Sequence, residues 1–262
     1  MFLMNVTPYS DVNRLLNTLL TRMQSILHDK LVGLYLYGSL VTGDFDHDIS
    51  DIDLLTVTSV DIDELEFEAL KKMHDDLIHK YKTWKDRIEV QYVSLSGLKT
   101  FKVQTSKIVN ISPGEPIHFI EAGKDWLINW YIVQENGIVL FGPNQASIIT
   151  KISKDEYINA VKENTLLWSE WIKKYNTQSS RGSLAYVVFT LCRALYGYKH
   201  GEEVSKKQAA EWICEEFPQW KSLIQNAVTW RKVQWSNEQK SVGLAISKVN
   251  EFVDFSIHQV IK

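Results

Sequence analysis

The hydrophobic pattern of this chain changes its period once, near residue 150, and that change limits the architectures open to it. Before that point short apolar runs rich in β-formers alternate with amphipathic stretches. LVGLYLY (31–37), SDIDLLTVTSV (50–60) and RIEVQYVSL (87–95) predict strands. The third places Ile88, Val90 and Tyr92 on one face and Glu89, Gln91 and Val93 on the other. Residues 10–28 space Val12, Leu15, Leu16, Leu19, Leu20, Met23, Ile26 and Leu27 as an amphipathic helix. Residues 61–81 predict a second helix with Leu65, Leu70, Met73 and Leu77 inward. DWLINWYIV (125–133) reads as helix and GIVLFG (137–142) as strand, and the Gly142-Pro143 pair ends the pattern. Residues 96–124, with SPGEP inside them, carry no assignment.

Beyond residue 150 every segment has helical period: DEYINAVKENTLLWSEWIKKY, SLAYVVFTLCRALYGY, SKKQAAEWICEEF, WKSLIQNAVTWRKV and NEQKSVGLAISKVNEFVDFSIHQVI. The breaks between them hold NTQSSRG, KHGEEV and FPQW. The expected fold class is therefore α/β followed by all-α. A mixed sheet with helices spans 1–150, and a helical bundle packed against it spans 151–262.

A chain of 262 residues with 45% hydrophobic and 23% charged residues has material for such cores. A net charge of only −3 argues against a nucleic-acid partner. The first residues, MFLMNVTPYSDVNRLL, show no basic, apolar and small-residue succession of a leader. No stretch reaches the ~18 apolar residues of a membrane span. A soluble, cytoplasmic protein with no membrane or nucleic-acid partner is expected. Cys192 and Cys214 then read as reduced, buried thiols. His47, His74, His79 and His118 lack metal-ligand spacing, so no zinc site is expected. No dinucleotide fingerprint, P-loop or nucleophile elbow occurs in a suitable context.

The chemistry concentrates in GSLVTGDFDHDISDIDLL (38–55). A buried strand delivers Gly38 and Ser39 to the start of a short helix. There glycine lets a phosphate approach the backbone, and the hydroxyl and unpaired N–H groups hold its oxygens. Asp51 and Asp53, two apart on the next strand, project from one face while Ile52 points into the core. Two carboxylates side by side repel and favour a divalent cation between them; oxygen ligands of this kind suit Mg²⁺. Glu89, flanked by Ile88 and Val90, is costly if buried alone. Facing the same cleft, it could bind a second ion or accept a proton from an attacking hydroxyl. Each feature alone is commonplace: a turn, a solvated strand edge, an edge acid. Their conjunction in one sheet marks an active site.

These features, with SDIDL at 50–54, resemble the signature of the nucleotidyltransferase superfamily. The resemblance implies that Asp51 and Asp53, with Glu89, hold Mg²⁺ and that Gly38, Ser39 and Ser50 contact the triphosphate of ATP, the co-substrate. An attacking hydroxyl would displace pyrophosphate from the α-phosphorus. The second half narrows the family. RALYGYKHGEEVSKKQAAEW (193–212) and LFGP (140–143) are similar to the streptomycin/spectinomycin adenylyltransferases, along nearly the whole chain. That resemblance implies transfer of AMP to an aminoglycoside or aminocyclitol hydroxyl. Arg193 and Lys206 would reach the ATP phosphates across an interdomain cleft, and Glu89 would be the catalytic base. Trp168 would contact the antibiotic and Asp125 would be an interdomain acid. A monomer with small-molecule partners is expected.

Two departures bear on the acceptor. Streptomycin-modifying members carry an acidic GDERN-type run before the helix of Arg193, where this chain has RGSLA (181–185). Residues 96–124 lack the P-W…G-E-W pattern and offer ISPGEPIHF instead. Two rival readings follow: a nucleotidyltransferase of the same fold acting on a lincosamide, another metabolite or a protein, and a non-catalytic nucleotide-binding regulator. Of the nine tryptophans, most read as core by their helical spacing, with Trp126, Trp130 and Trp171 also candidates for a sugar-binding cleft.

Overall fold

A computed structural model describes residues 5–176, 179–232 and 243–262. The chain divides into two compact units, residues 1–152 and 153–262. Of the sequence expectations, residues 1–4 of the leader reading lie outside the described residues. So do Thr177 and Gln178 of the first helical break, Val233, and residues 237–242 at the head of the last helix.

The first unit runs α1 (Ser10–Leu27), β1 (Leu31–Tyr37), α2 (Ser39–Thr42), β2 (Ile52–Thr58), α3 (Glu64–Lys80) and β3 (Ile88–Ser94). It continues with α4 (Leu95–Thr100), β4 (Ser106–Ser112), β5 (Glu115–Ala122), α5 (Leu127–Asn136) and β6 (Ile138–Phe141). The strands form one sheet in the order β5-β4-β3-β2-β1-β6. Only β2 and β3 are parallel. A parallel pair needs a crossover, and α3 supplies it. A reciprocal capping box starts α3: the Asp63 carboxylate accepts from Glu66 N, and the Glu66 carboxylate accepts from Asp63 N, both at 2.9 Å.

One face of the sheet buries Leu34, Leu36, Ile52, Leu54, Ile88, Val90 and Tyr92 with α1 and α3. Helix α1 contributes Val12, Leu15, Leu16, Leu19 and Met23, all fully buried. In α3 Leu70, Met73 and Leu77 are buried, but Leu65 is 84% exposed, contrary to expectation. Five residues from Leu70, at about 100° per residue, it lies about 140° off the buried stripe.

The segment 96–124, which the sequence leaves unassigned, is regular structure. It holds α4 and the antiparallel β4–β5 hairpin, whose turn is Pro113-Gly114. Gly114 takes φ +80° after a proline, the chemistry of a type II turn.

Among the described residues the regular structure of the second unit is all helical: α6 (Lys154–Trp171), α7 (Arg181–His200), α8 (Lys206–Glu216), α9 (Lys221–Lys232) and α10 (Gly243–Ile261). Helix α7 packs against the other four. Its buried Leu184, Val187, Val188, Leu191, Cys192 and Leu195 therefore cover more than one stripe. Ser153, Ser180 and Ser205 cap α6, α7 and α8, and Gly201 ends α7 in the left-handed conformation. Cys192 is buried as expected, whereas Cys214 is only half-buried, and both are free thiols. Among the described residues no helix is long and apolar enough to cross a membrane.

Candidate active site

The strand registers place the key residues in rows across the sheet. Tyr37 of β1 pairs with Asp53 of β2, and Asp53 pairs with Glu89 of β3. The next row on that face is Tyr35, Leu55, Gln91, Asn110 and His118. Asp51 lies just ahead of β2 rather than inside it, because the strand begins at Ile52. Its carboxylate still reaches the row. Ligand oxygens of Asp51, Asp53 and Glu89 all lie within 4.8 Å of one another. Among the described residues this is the sole grouping of three or more potential metal-ligating side chains. All three are half-buried, and Ile52 between the aspartates is fully buried, as strand alternation requires.

Gly38 stands against this cluster. It holds φ +72°, and a Cβ there would lie 1.9 Å from Asp53 Oδ2. Ser39 opens α2, and its buried Oγ has no hydrogen-bond partner. A buried hydroxyl with no protein partner is rare in folded chains, and this one stands next to the Gly38 turn. Ser50 is 3% exposed, and its Oγ accepts from Asp46 N at 2.9 Å. It thus ties the 46–50 loop together.

Three further residues shape the site without having stood out in the sequence. The Tyr37 phenol accepts from Gln91 Nε2 at 2.8 Å and donates to Glu89 Oε1 at 3.5 Å. Burial, then the charges of Glu89, Asp53 and Asp51, push its pKa well above the ordinary tyrosine value. Gln91 is fully buried and its Oε1 has no partner. Arg87 is 8% exposed and serves backbone carbonyls. Its Nε donates to Ser50 O at 2.9 Å, and Nη2 donates to His47 O at 2.7 Å. Its guanidinium lies 4.6 Å from the Trp84 ring centroid. Burial lowers its pKa, and Asp51 and the loop aspartates oppose that shift. Arg87 thereby fixes the chain immediately before Asp51. The available signal was spacing: Tyr37 adjoins Gly38, while Arg87 and Gln91 flank Glu89 at two residues.

The remaining expected residues lie elsewhere in the chain. Asp125 is exposed on the turn before α5 and accepts from Gly123 N at 2.9 Å. In the helical unit, Trp168 is 4% exposed, its indole N–H is buried without a partner, and its ring meets Trp171 edge-on. Arg193 of α7 donates through Nη1 to Glu203 Oε1 at 3.0 Å. Lys206 is half-buried at the first position of α8. Of the candidate sugar-binding tryptophans, Trp130 is fully buried, which favours packing, while Trp126 and Trp171 are half-buried. His74 is buried against Tyr92, with Nε2 and the phenol oxygen 2.8 Å apart.

Known proteins share this organisation. The nucleotidyltransferase domain model matches residues 16–118, and that of the aminoglycoside adenylyltransferase C-terminal domain matches residues 147–259. The spectinomycin adenyltransferase AAD(9) from Enterococcus faecialis, solved with ATP and spectinomycin, is 18% identical to this chain. The match covers 95% of this chain and 99% of that one at a TM-score of 0.73, which shows a common fold. A toxin-antitoxin solved with AMP-PNP is 16% identical over 59% of this chain and 90% of that one. Its TM-score is 0.30. With a nucleotidyltransferase domain ahead of an aminoglycoside adenylyltransferase C-terminal domain, the chain belongs to the aminoglycoside nucleotidyltransferase family and is an enzyme.

Proposed function

We propose that this enzyme transfers AMP from ATP to a hydroxyl of an aminoglycoside or aminocyclitol antibiotic of the streptomycin/spectinomycin type, and so confers resistance. The observation that carries the reading is the convergence of Asp51, Asp53 and Glu89 beside the Gly38-Ser39 turn. The spectinomycin and ATP bound by the structural neighbour supply the choice of acceptor and nucleotide.

The donor set fits a hard divalent cation, being three carboxylates with no nitrogen or sulfur among them. Asp51, Asp53 and Glu89 would hold Mg²⁺, which when bound neutralises phosphate charge and favours an in-line displacement. The protein's own groups do the rest. Ser39 Oγ, buried without a partner, donates to a phosphate oxygen. Ser50 shapes the loop that carries Asp51. Glu89 accepts the proton of the acceptor hydroxyl as its oxygen bonds to the α-phosphorus. The bond from that phosphorus to the bridging oxygen breaks, and pyrophosphate leaves. Arg193 and Lys206 offset the negative charge of the nucleotide. Asp125 and Trp168 contact the acceptor.

Incubation with Mg²⁺-ATP and streptomycin or spectinomycin tests the reading: the antibiotic should gain the mass of an AMP residue. Pyrophosphate release with a lincosamide, and with neither of those antibiotics, would move the acceptor to another class.

A further inference from the structure

The connection between α7 and α8 holds an acid buried more deeply than a solvated loop requires. The Glu203 side chain is 7% exposed. Its two oxygens have separate partners: Oε1 accepts from Arg193 Nη1 at 3.0 Å, and Oε2 accepts from the Tyr157 hydroxyl at 2.8 Å. Tyr157 comes from α6 and is itself fully buried. Its phenol fits because residue 197 is glycine, where a Cβ would lie 2.5 Å from the Tyr157 oxygen. Gly201, at φ +65°, turns the chain sharply just ahead of Glu203. Three consecutive pieces of the helical unit therefore converge on one carboxylate.

An ion pair with one partner buried and the other partly exposed is a weak device for stability, since desolvation and solvent screening offset much of its attraction. Its geometry is a strong device for orientation. A guanidinium is a rigid plane with five donors, so one charge-assisted bond to a fixed oxygen sets the direction of the rest. The second bond, from Tyr157, stops the carboxylate from swinging.

We propose that Glu203, itself fixed by Tyr157, is the positioning residue for Arg193 and presents its guanidinium preformed to the phosphates of the nucleotide. The inference rests on the assignment of Arg193 to the nucleotide made under the proposed function. Preorganisation lowers the cost of ordering a long side chain on binding, so the effect belongs in nucleotide affinity and not in the chemical step.

The test is a set of steady-state constants for nucleotide and acceptor on the full chain. Glu203→Ala should raise the KM for ATP by about tenfold, with kcat and the acceptor KM changed about twofold or less. Glu203→Gln, which keeps the shape and an acceptor for Tyr157, should recover part of that loss; it also serves if the alanine variant fails to fold. Added to Arg193→Ala, Glu203→Ala should raise the KM no further. Glu216→Ala breaks the Lys199–Glu216 pair, which joins the same two helices, and should leave the ATP KM unchanged. A purely structural role for Glu203 would move melting temperature and leave the ATP KM alone. The inference falls if Arg193→Ala raises that KM while both Glu203 variants keep the wild-type value, or if the two effects add. If Arg193→Ala itself binds ATP normally, the assignment of Arg193 falls first and takes this inference with it.

Discussion

Gly38 and Asp53 share one space: a Cβ on the glycine would sit 1.9 Å from the aspartate's Oδ2. The glycine at the end of β1 is thus what lets the β2 carboxylate stand where it meets Asp51 and Glu89. Gly38→Ala should therefore damage activity far more than stability. A backbone at φ +72° and ψ −149° costs about 1–3 kcal/mol for a residue with a Cβ, while the clash is relieved by moving Asp53. We expect kcat/KM for adenylyl transfer to fall about 10²-fold or more, with a urea denaturation midpoint only modestly lowered. Equal losses in both would contradict the geometry.

Glu89→Gln preserves size and hydrogen bonding but removes the proposed base. Turnover should fall by about 10²- to 10⁴-fold while ATP binding, measured by calorimetry, stays nearly intact. Full activity would show that another group takes the proton.

With Asp51, Asp53 and Glu89 holding Mg²⁺ as proposed, the reaction is expected to be cation-dependent. A chelator should abolish turnover and added Mg²⁺ should restore it. Asp53→Asn should lower kcat by about 10²-fold or more, with partial recovery at high Mg²⁺. Undiminished turnover in chelator would refute the metal assignment.

Tyr37→Phe removes the hydroxyl that Gln91 and Glu89 share. The Gln91 amide N–H is then left without that acceptor in a fully buried position. A loss of about 1–3 kcal/mol in unfolding free energy is expected, readable by urea titration. An unchanged midpoint would mean that the phenol's bonds carry no net weight.

His74 gives the stability a pH dependence. Burial lowers its pKa to about 4 from an ordinary 6.5. The unfolded chain therefore binds a proton below pH 6.5 that the folded chain refuses until about pH 4, so stability is lost as pH falls through that window. The contribution approaches about 3 kcal/mol at the acid end. His74→Gln, which does not titrate there, should show a shallower decline between pH 6.5 and 4.5 in urea denaturation. Parallel declines would place the acid sensitivity elsewhere.

Much of the site was legible because local chemistry writes it. Gly38-Ser39 after an apolar strand, alternation about Ile52, and an acid between Ile88 and Val90 follow from backbone sterics and side-chain period. The same rules set the helix starts at Ser153 and Ser205 and the stop at Gly201. The β4–β5 hairpin went unread although Pro113-Gly114 signalled its turn. Its strands mix buried Ile108, Val109 and Ile117 with polar Asn110 and His118, which blurs their period. Leu65 misled for the opposite reason: a leucine in a helix is not thereby on its buried stripe.

By itself, then, the sequence determined which residues could do chemistry and which local elements would carry them, because turns, caps and periodicity depend on neighbours in the chain. The tertiary structure alone decided that Tyr37, Asp53 and Glu89 form one row, that Gln91 reaches Tyr37, and that Glu203 holds Arg193. Register and side-chain pairing depend on which buried faces pack together, and those faces come from segments far apart in the chain.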